Sequence, residues 1–329
     1  MMDENKENQY DSVEYWKNEI VAFLALTCLK GVGYWTLRKI AESGVGFKYL
    51  LKASSAEHLT KFLRVSLPKN VSWEDYQQVI WNRGLERARV LNGLGVKLYF
   101  YNHKLFPPAL KKIPDPPYWI FVEGSIDNLI KRSVAIVGTR KPSLDGIFLT
   151  KMIVAAIANK SIPTVSGLAS GIDQLAHIES LRYGIPTVAV LGNGFFVEYP
   201  KGSNELKSKI VEEGGTIVSE YLPDQNYSAE NFVRRNRIQA ALCSVLVPVE
   251  WKIKSGTAHT VEYAHKYKKK ILNIFLPNTY VSRAEIKFSE VYRDAFSCEM
   301  PGDVNKAIDY ISGEINFESN PPTQQVLDL

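Results

Sequence analysis

Gly167-Leu168-Ala169-Ser170-Gly171-Ile172-Asp173, running on into Gln174-Leu175-Ala176-His177, stands between Thr164-Val165-Ser166, which has strand propensity, and Leu175, Ala176, Ile178 and Leu181 at helical spacing. The stretch therefore reads as a strand-to-helix turn. Its two glycines lack the Cβ atoms that hold a ligand away from the backbone, and the N–H groups of a helix start form an anion site. A tight turn with close helix–sheet packing accounts for the same glycines, so the turn alone leaves both readings open.

The rhythm repeats on either side. Apolar runs stand at 134–137, 164–166, 187–191, 216–219, 244–249 and 270–275, with helical segments between most of them. Continuous rather than alternating apolar character belongs to strands buried on both faces, and strand–helix–strand repetition predicts a doubly wound, mainly parallel α/β sheet. In such a sheet ligands sit outside the carboxyl ends of the strands.

Ahead of this region the pattern is helical from Ile20, over 51–68 and over 73–94. The expected organisation is a flexible N-terminus (1–19), a small helical domain (20–94), an α/β domain (95–315) and a disordered tail (316–329). Lys30-Gly31-Val32-Gly33 joins two helical runs in the manner of a helix-hairpin-helix, a motif that meets a DNA backbone, although close helix packing explains the glycines equally. Residues 96–102 and 118–122 are β-rich and are joined by a proline-stiffened connection.

The 329 residues are 45% apolar and carry a net charge of +5, which permits a polyanionic partner without requiring one. Cys28, Cys243 and Cys298 fit neither a zinc spacing nor a disulfide framework, so a cytoplasmic setting is expected. The polar, acidic start is no signal peptide, and no apolar run approaches the ~18 residues of a membrane helix. His103, His177, His259 and His265 do not cluster at ligand spacing, so no metal, cofactor or catalytic set is expected. Asp173 and His177, at i and i+4, read as a fixed helix start.

The strand exits carry the informative residues. Gly138-Thr139-Arg140-Lys141-Pro142-Ser143 has the spacing of neither a dinucleotide fingerprint nor a nucleotide-hydrolysing phosphate loop. Its Arg140 and Lys141, the Gly167–Leu168 turn, and Lys201 and Asn204 after 187–191 supply cations and amides to one rim. Arg234, Arg235 and Arg237, with Asn236 among them, cannot all face a core unpaired. They require either internal carboxylates such as Asp173 and Glu220, or a bound phosphate. Ser255 and Gly256 open a helix as a second amide-lined pocket, and Trp251 either stacks a base or covers the sheet edge. A rim bearing Arg140, Lys201, Arg234, Arg237 and Lys254 suits a row of phosphates.

As a set, Gly138-Thr139-Arg140, Ser166 to Asp173 with Ala176-His177, Tyr199-Pro200-Lys201 with Asn204, Ser219-Glu220, Arg235-Asn236-Arg237-Ile238 and Ser255-Gly256-Thr257 resemble the DNA-processing protein A (DprA/Smf) family, from about Phe106 to Ala264. The resemblance implies an extended Rossmann-like domain preceded by a small helical (helix-hairpin-helix or SAM-like) domain. It implies a non-catalytic, dimeric, cytoplasmic protein that binds single-stranded DNA, shields it from nucleases and hands it to a RecA-type recombinase in natural transformation. By the same resemblance Arg140 and Lys201 grip phosphates, Asn204 and the amides after Gly167 line the groove, and the Arg235–Arg237 segment braces or contacts the strand.

The chain departs from the family in the polar, glycine-free 278–290 segment, and with a last helix expected over 303–311 no C-terminal winged helix is expected in it. A competing class is a nucleotide-binding sensor or phosphoribohydrolase on the same Rossmann variant. Here the Pro-Gly-Gly of that enzyme loop is missing, and Glu262 stands two residues too far from Gly256-Thr257.

Overall fold

A computed structural model describes residues 12–313 apart from 53, 54, 67 and 69, so the tail expected over 316–329 and the first part of the segment expected over 1–19 lie outside the described residues. Contacts divide the chain into a unit of residues up to 106 with 117–123, and a second of 107–116 with 124 onward.

The first unit contains helices Val13–Thr27, Tyr34–Glu42, Phe47–Lys52, Ala56–Leu63 and Trp73–Gly93. The first helix begins within the segment expected to be flexible, because the Ser12 hydroxyl caps it by accepting from the Tyr15 N–H at 3.3 Å. It packs against Trp73–Gly93 so closely at Gly84 that a Cβ there would lie 2.8 Å from the Ala25 Cβ. Strand β1 (Val96–Phe100) pairs antiparallel with β2 (Trp119–Gly124), matching the two β-rich runs. Phe23 lies at 5.0 Å from both Phe47 and Trp119, so the helices and the hairpin share one aromatic core. The hairpin thus belongs to the same compact unit as the helices. Glu19 is buried there, its carboxylate accepting from the Phe47 N–H at 2.8 Å and the Lys48 N–H at 3.1 Å. Burial pushes its carboxyl up, and those two N–H groups pull against the shift.

The second unit holds β3 (Val134–Val137), β4 (Thr164–Ser166), β5 (Thr187–Val190), β6 (Thr216–Ser219), β7 (Val245–Pro248), β8 (Lys270–Phe275) and β9 (Ala295–Glu299), in the spatial order β6-β5-β4-β3-β7-β8-β9. All adjacent pairs are parallel. Every residue of β3 to β7 is buried, as continuous apolar runs require. Val134 and Ile136 of β3 and Val245 and Val247 of β7 pack with Leu149 and Ile153 of helix Leu144–Ala156 on one face. Side chains alternate along a strand, so Ala135 and Leu246 point to the opposite face. Completed by helices Ala229–Leu242 and Gly256–Lys266, the unit is the expected doubly wound, Rossmann-like sheet.

Candidate nucleic-acid interface

From β3 the chain lays β4, β5 and β6 outward on one side, then returns to add β7, β8 and β9 on the other. The connections leaving β3 and β7 therefore diverge, and this switch point is where such sheets open a crevice. A cleft of about 420 Å³ lies there. It is lined by Gly138, Thr139 and Arg140 from the β3 exit and by Lys252, Ser255 and Gly256 from the β7 exit. Ala169 of the glycine turn and Phe232 of helix Ala229–Leu242 complete it.

The loops around this cleft are tied to one another. The Thr139 N–H donates to the Glu250 carbonyl at 2.7 Å, and the Ser143 N–H to the Glu250 carboxylate at 2.9 Å. The Ile172 N–H donates to the Thr139 carbonyl at 3.1 Å. Gly171 has φ +87°, and a Cβ there would lie 2.7 Å from the Arg140 carbonyl carbon, so this is a position where only glycine fits. Asn236 Nδ2 donates to the Gly256 carbonyl at 2.9 Å, bracing the turn that starts helix Gly256–Lys266. Among the described residues, the N–H groups of Leu168, Ala169, Ser170 and Gly171 meet no intramolecular acceptor. The glycine turn thus retains a run of unspent donors at the start of helix Ile172–Arg182.

Exposed cations line the same rim: Arg140 and Lys141 after β3, Lys201 after β5, and Lys252 and Lys254 after β7. None of them has a carboxylate partner among the described residues. Arg140 Nη1 donates to the Tyr199 hydroxyl at 3.2 Å, and its guanidinium lies 5.3 Å from the centre of the Phe232 ring. Tyr199 in turn lies 4.2 Å from Tyr227 and 4.8 Å from Phe232, centroid to centroid. Tyr227 is 49% exposed. An aromatic platform carrying an arginine therefore stands beside the cleft, built from residues that the sequence reading did not assign to base stacking.

Several expected site residues are largely buried. Trp251 borders the cleft but is only 3% exposed and packs edge-on to Phe288 at 6.1 Å, so little of its ring is open to a base. Arg237, 1% exposed, donates from Nη1 and Nη2 to the two carboxylate oxygens of Glu220 at 2.8 and 2.6 Å, and pairs with Asp115 at 3.0 Å. Arg234 is mostly buried near the same carboxylates, 3.6 Å from Glu220 and 3.8 Å from Asp115. Arg235, 3% exposed, donates to the carbonyls of Gly167, at 2.7 Å, and of Val190. Of the two alternatives for this arginine cluster, the structure shows internal partners for all three, because guanidinia buried to this degree must be neutralised or hydrogen-bonded in place. Arg237 and Arg235 are thereby committed to internal partners, and Arg234 keeps only a small part of its side chain at the surface.

The amides redistribute as well. The Gly167 N–H donates to Asp173 Oδ2 at 3.1 Å, and the Gly138 N–H bonds the same carboxylate, so neither is left for a ligand. The Leu168 side chain is buried, with φ +59°. The Asn204 N–H is directed to Glu198 Oε1 at 3.4 Å, although its side chain is exposed. Ser255 Oγ caps its own helix by accepting from the Ala258 N–H at 3.4 Å, while Gly256 is exposed at the cleft mouth.

Beneath the turn, burial pushes the Asp173 carboxyl up, opposed by the Arg235 guanidinium and by the Gly138 and Gly167 N–H groups. Burial likewise lowers Arg235, against the pull of Asp173. His177 is fully buried with Nδ1 at 2.7 Å from the Thr187 hydroxyl, and burial together with Arg235 pushes it down to about 3. An imidazole held neutral beneath the sheet surface fixes the helix and does not transfer protons to a ligand. Glu262, the carboxylate needed by a phosphoribohydrolase reading, is exposed and lies 3.6 Å from His259, outside the residues lining the cleft. Among the described residues no cluster of metal-ligating side chains occurs, and no helix is long and apolar enough to cross a membrane.

Residues 97–287 match the family described as DNA recombination-mediator protein A. The chain is 36% identical over 178 residues to Protein Smf of Synechocystis sp., covering 53% of this chain and 44% of that protein. It is 37% identical over 159 residues to DNA processing protein DprA of Streptococcus pneumoniae, covering 48% of this chain and 56% of that protein. The chain thus spans about half the length of the curated relatives it matches. The X-ray structure of DNA processing protein A from Streptococcus pneumoniae superposes with a TM-score of 0.63 at 25% identity, over 88% of this chain and 97% of that one. DNA processing protein A from Helicobacter pylori, solved for its mode of single-stranded DNA binding, superposes with a TM-score of 0.57 at 23% identity, over 67% of this chain and 97% of that one.

Proposed function

The chain belongs to the DNA recombination-mediator protein A family, and from that premise we propose that it binds single-stranded DNA along the carboxyl rim of its parallel sheet. The observation that carries this reading is the conjunction of Arg140 with the Tyr199–Tyr227–Phe232 platform, flanked by Lys141, Lys201, Lys252 and Lys254 without carboxylate partners among the described residues. A flexible strand offers phosphates to such cations and π-faces to such rings at once. The free N–H groups from Leu168 to Gly171 add an amide cradle for a phosphate between them. Neither contact reads base edges, so binding is insensitive to sequence.

In this reading the protein holds and shields the strand without cutting it, acts in the cytoplasm as a dimer and passes the strand to a RecA-type recombinase, the role that the family's description as a recombination mediator supports. Asn204, Ser255 and Gly256 serve as polar edges of the groove, and Asn236 and Arg235 brace it from below. The test is a gel shift of a fluorescent oligonucleotide with the full chain. Arg140→Ala with Lys201→Ala is expected to abolish retention at concentrations that saturate the parent, and full retention by the double variant overturns the assignment.

A further inference from the structure

A second concavity lies wholly within the helical unit, far in sequence from the strand exits. It measures about 580 Å³ and is bounded by helix Val13–Thr27, helix Trp73–Gly93 and strand β1. Its wall is apolar, with Trp16, Ile20, Leu85, Ala88 and Leu98 among the lining residues, and Val13 at its end is 69% exposed. Its rim bears Lys17, Arg89, Lys97 and Lys104, all exposed, and no acidic residue lines it. None of these four cations has an ion-pair partner among the described residues.

Strand β1 contributes Val96, Lys97, Leu98 and Tyr99 to the lining in unbroken succession. Successive side chains of a strand point to opposite faces, so a groove lying over one face would touch only alternate residues. This groove therefore runs along the strand's edge. Among the described residues β1 pairs with β2 alone, which leaves its other edge without a neighbour. An open edge offers a row of backbone donors and acceptors to an added strand.

We propose that this groove is a docking site for an extended, acidic segment of a partner protein, which adds a strand to the free edge of β1, seats alternate apolar side chains against Ile20, Leu85 and Leu98, and sets carboxylates against Lys17, Lys97 and Lys104. Charge complementarity selects this occupant. A second copy of the same chain would bring an identical cationic rim face to face with this one, which like charges oppose. A nucleic acid strand would meet a mainly aliphatic wall on which bases do not stack, and the Trp16 ring is already engaged with Phe100 at 5.9 Å and His103 at 5.2 Å.

The test uses the full chain and fluorescein-labelled ten-residue peptides read by anisotropy. A peptide alternating valine and glutamate is expected to bind with an affinity that falls as salt rises. A valine–lysine counterpart, and a valine–glutamate peptide carrying two prolines in place of glutamates, are expected to bind at least tenfold more weakly. Lys17→Glu with Lys97→Glu should weaken the acidic peptide at least tenfold while leaving oligonucleotide retention unchanged, which separates this proposal from the strand-binding reading of the other unit. Equal binding of the proline-bearing peptide, or indifference to the charge reversals, overturns strand addition. Loss of oligonucleotide retention in the charge-reversed protein would assign the groove to nucleic acid instead. Displacement of the probe by a synthetic peptide of residues 1–11 at equal or lower concentration would make the occupant the chain's own segment.

Discussion

Arg237 and Glu220 face each other fork to fork, Nη1 to Oε1 at 2.8 Å and Nη2 to Oε2 at 2.6 Å, with both side chains 1% exposed. Removing one member leaves the other charge buried without its counterpart. Arg237→Ala is expected to lower unfolding free energy by about 3–5 kcal/mol. Urea titration of parent and variant checks it. The folded fraction should retain an oligonucleotide with affinity within about twofold of the parent, since neither group reaches the rim. The double variant Arg237→Met with Glu220→Leu should recover much of the loss, because it removes both charges together.

Arg140 is exposed and faces no carboxylate, so its contribution to strand binding is expected to be electrostatic and visible in the salt dependence. For single strands the slope of log affinity against log salt is about −0.7 per neutralised phosphate. Arg140→Ala should make that slope shallower by about one phosphate and weaken strands of any sequence alike. Affinity measured by anisotropy at several salt concentrations gives the slope directly. An unchanged slope excludes Arg140 from phosphate contact.

Tyr227, half exposed over Tyr199, is the ring best placed to receive a base. Tyr227→Ala should cost about 1–3 kcal/mol of strand affinity, whereas Tyr227→Phe, which keeps the π-face, should cost little. Trp251→Phe, at a buried indole, should leave affinity unchanged. Equal losses in the Ala and Phe variants of Tyr227 would trace its contribution to the hydroxyl and not to stacking.

His177 supplies a pH dependence of stability. Its folded value lies at about 3, below the 6.5 of an unfolded histidine, so between those values the unfolded chain binds a proton that the native state refuses. Stability is therefore full above about pH 6.5 and falls as the pH drops towards 3, by about 2 kcal/mol at pH 5. The His177 contribution appears as the difference between parent and His177→Gln in urea midpoints at pH 7.5 and pH 5. The variant should show the smaller acid-induced decline.

Gly171 lies against Arg140, and its positive φ leaves no room for a side chain. Gly171→Ala is expected to displace the Thr139–Arg140 loop and to weaken strand binding at least as much as Arg140→Ala does. Its thermal midpoint should fall by several degrees, consistent with about 1–3 kcal/mol of steric conflict.

Much of the second unit was legible in the sequence because its strands are buried on both faces and advertise themselves as unbroken apolar runs. The expected 134–137, 164–166, 216–219 and 270–275 coincide with β3, β4, β6 and β8, and the neighbouring strands differ by a residue or two at their ends. Strand β9 escaped notice because it closes the sheet at one side and alternates Ser297 and Glu299 with Phe296 and Cys298. The hairpin β1–β2 was visible as two strands, yet its allegiance depends on the meeting of Phe23 with Trp119, residues far apart in the chain.

The interface was only half legible. Exposed cations at strand ends can be read from composition and order, whereas the fate of the arginine cluster depended on Asp115, a carboxylate in the proline-rich connection that no local pattern ties to Arg234 or Arg237. The same limit explains the aromatic platform: Tyr199 and Tyr227 follow different strands and become neighbours only when the loops after β5 and β6 join, as they do where the Gly194 and Phe196 N–H groups donate to the Gln225 and Pro223 carbonyls.

The central position of β3 also governs when the sheet can form. One of its edges is closed by β4, which follows soon after in the chain, but Val134 on the other edge must wait for Val245. On the ribosome the middle of the sheet stays open until β7 has emerged, and the edge of β3 is unpaired while residues 138–244 are made. Non-local pairing of this kind makes folding slow and exposes the nascent chain to mispairing. The topology that opens a crevice between β3 and β7 thus makes chaperone protection most valuable during the passage from one strand to the other.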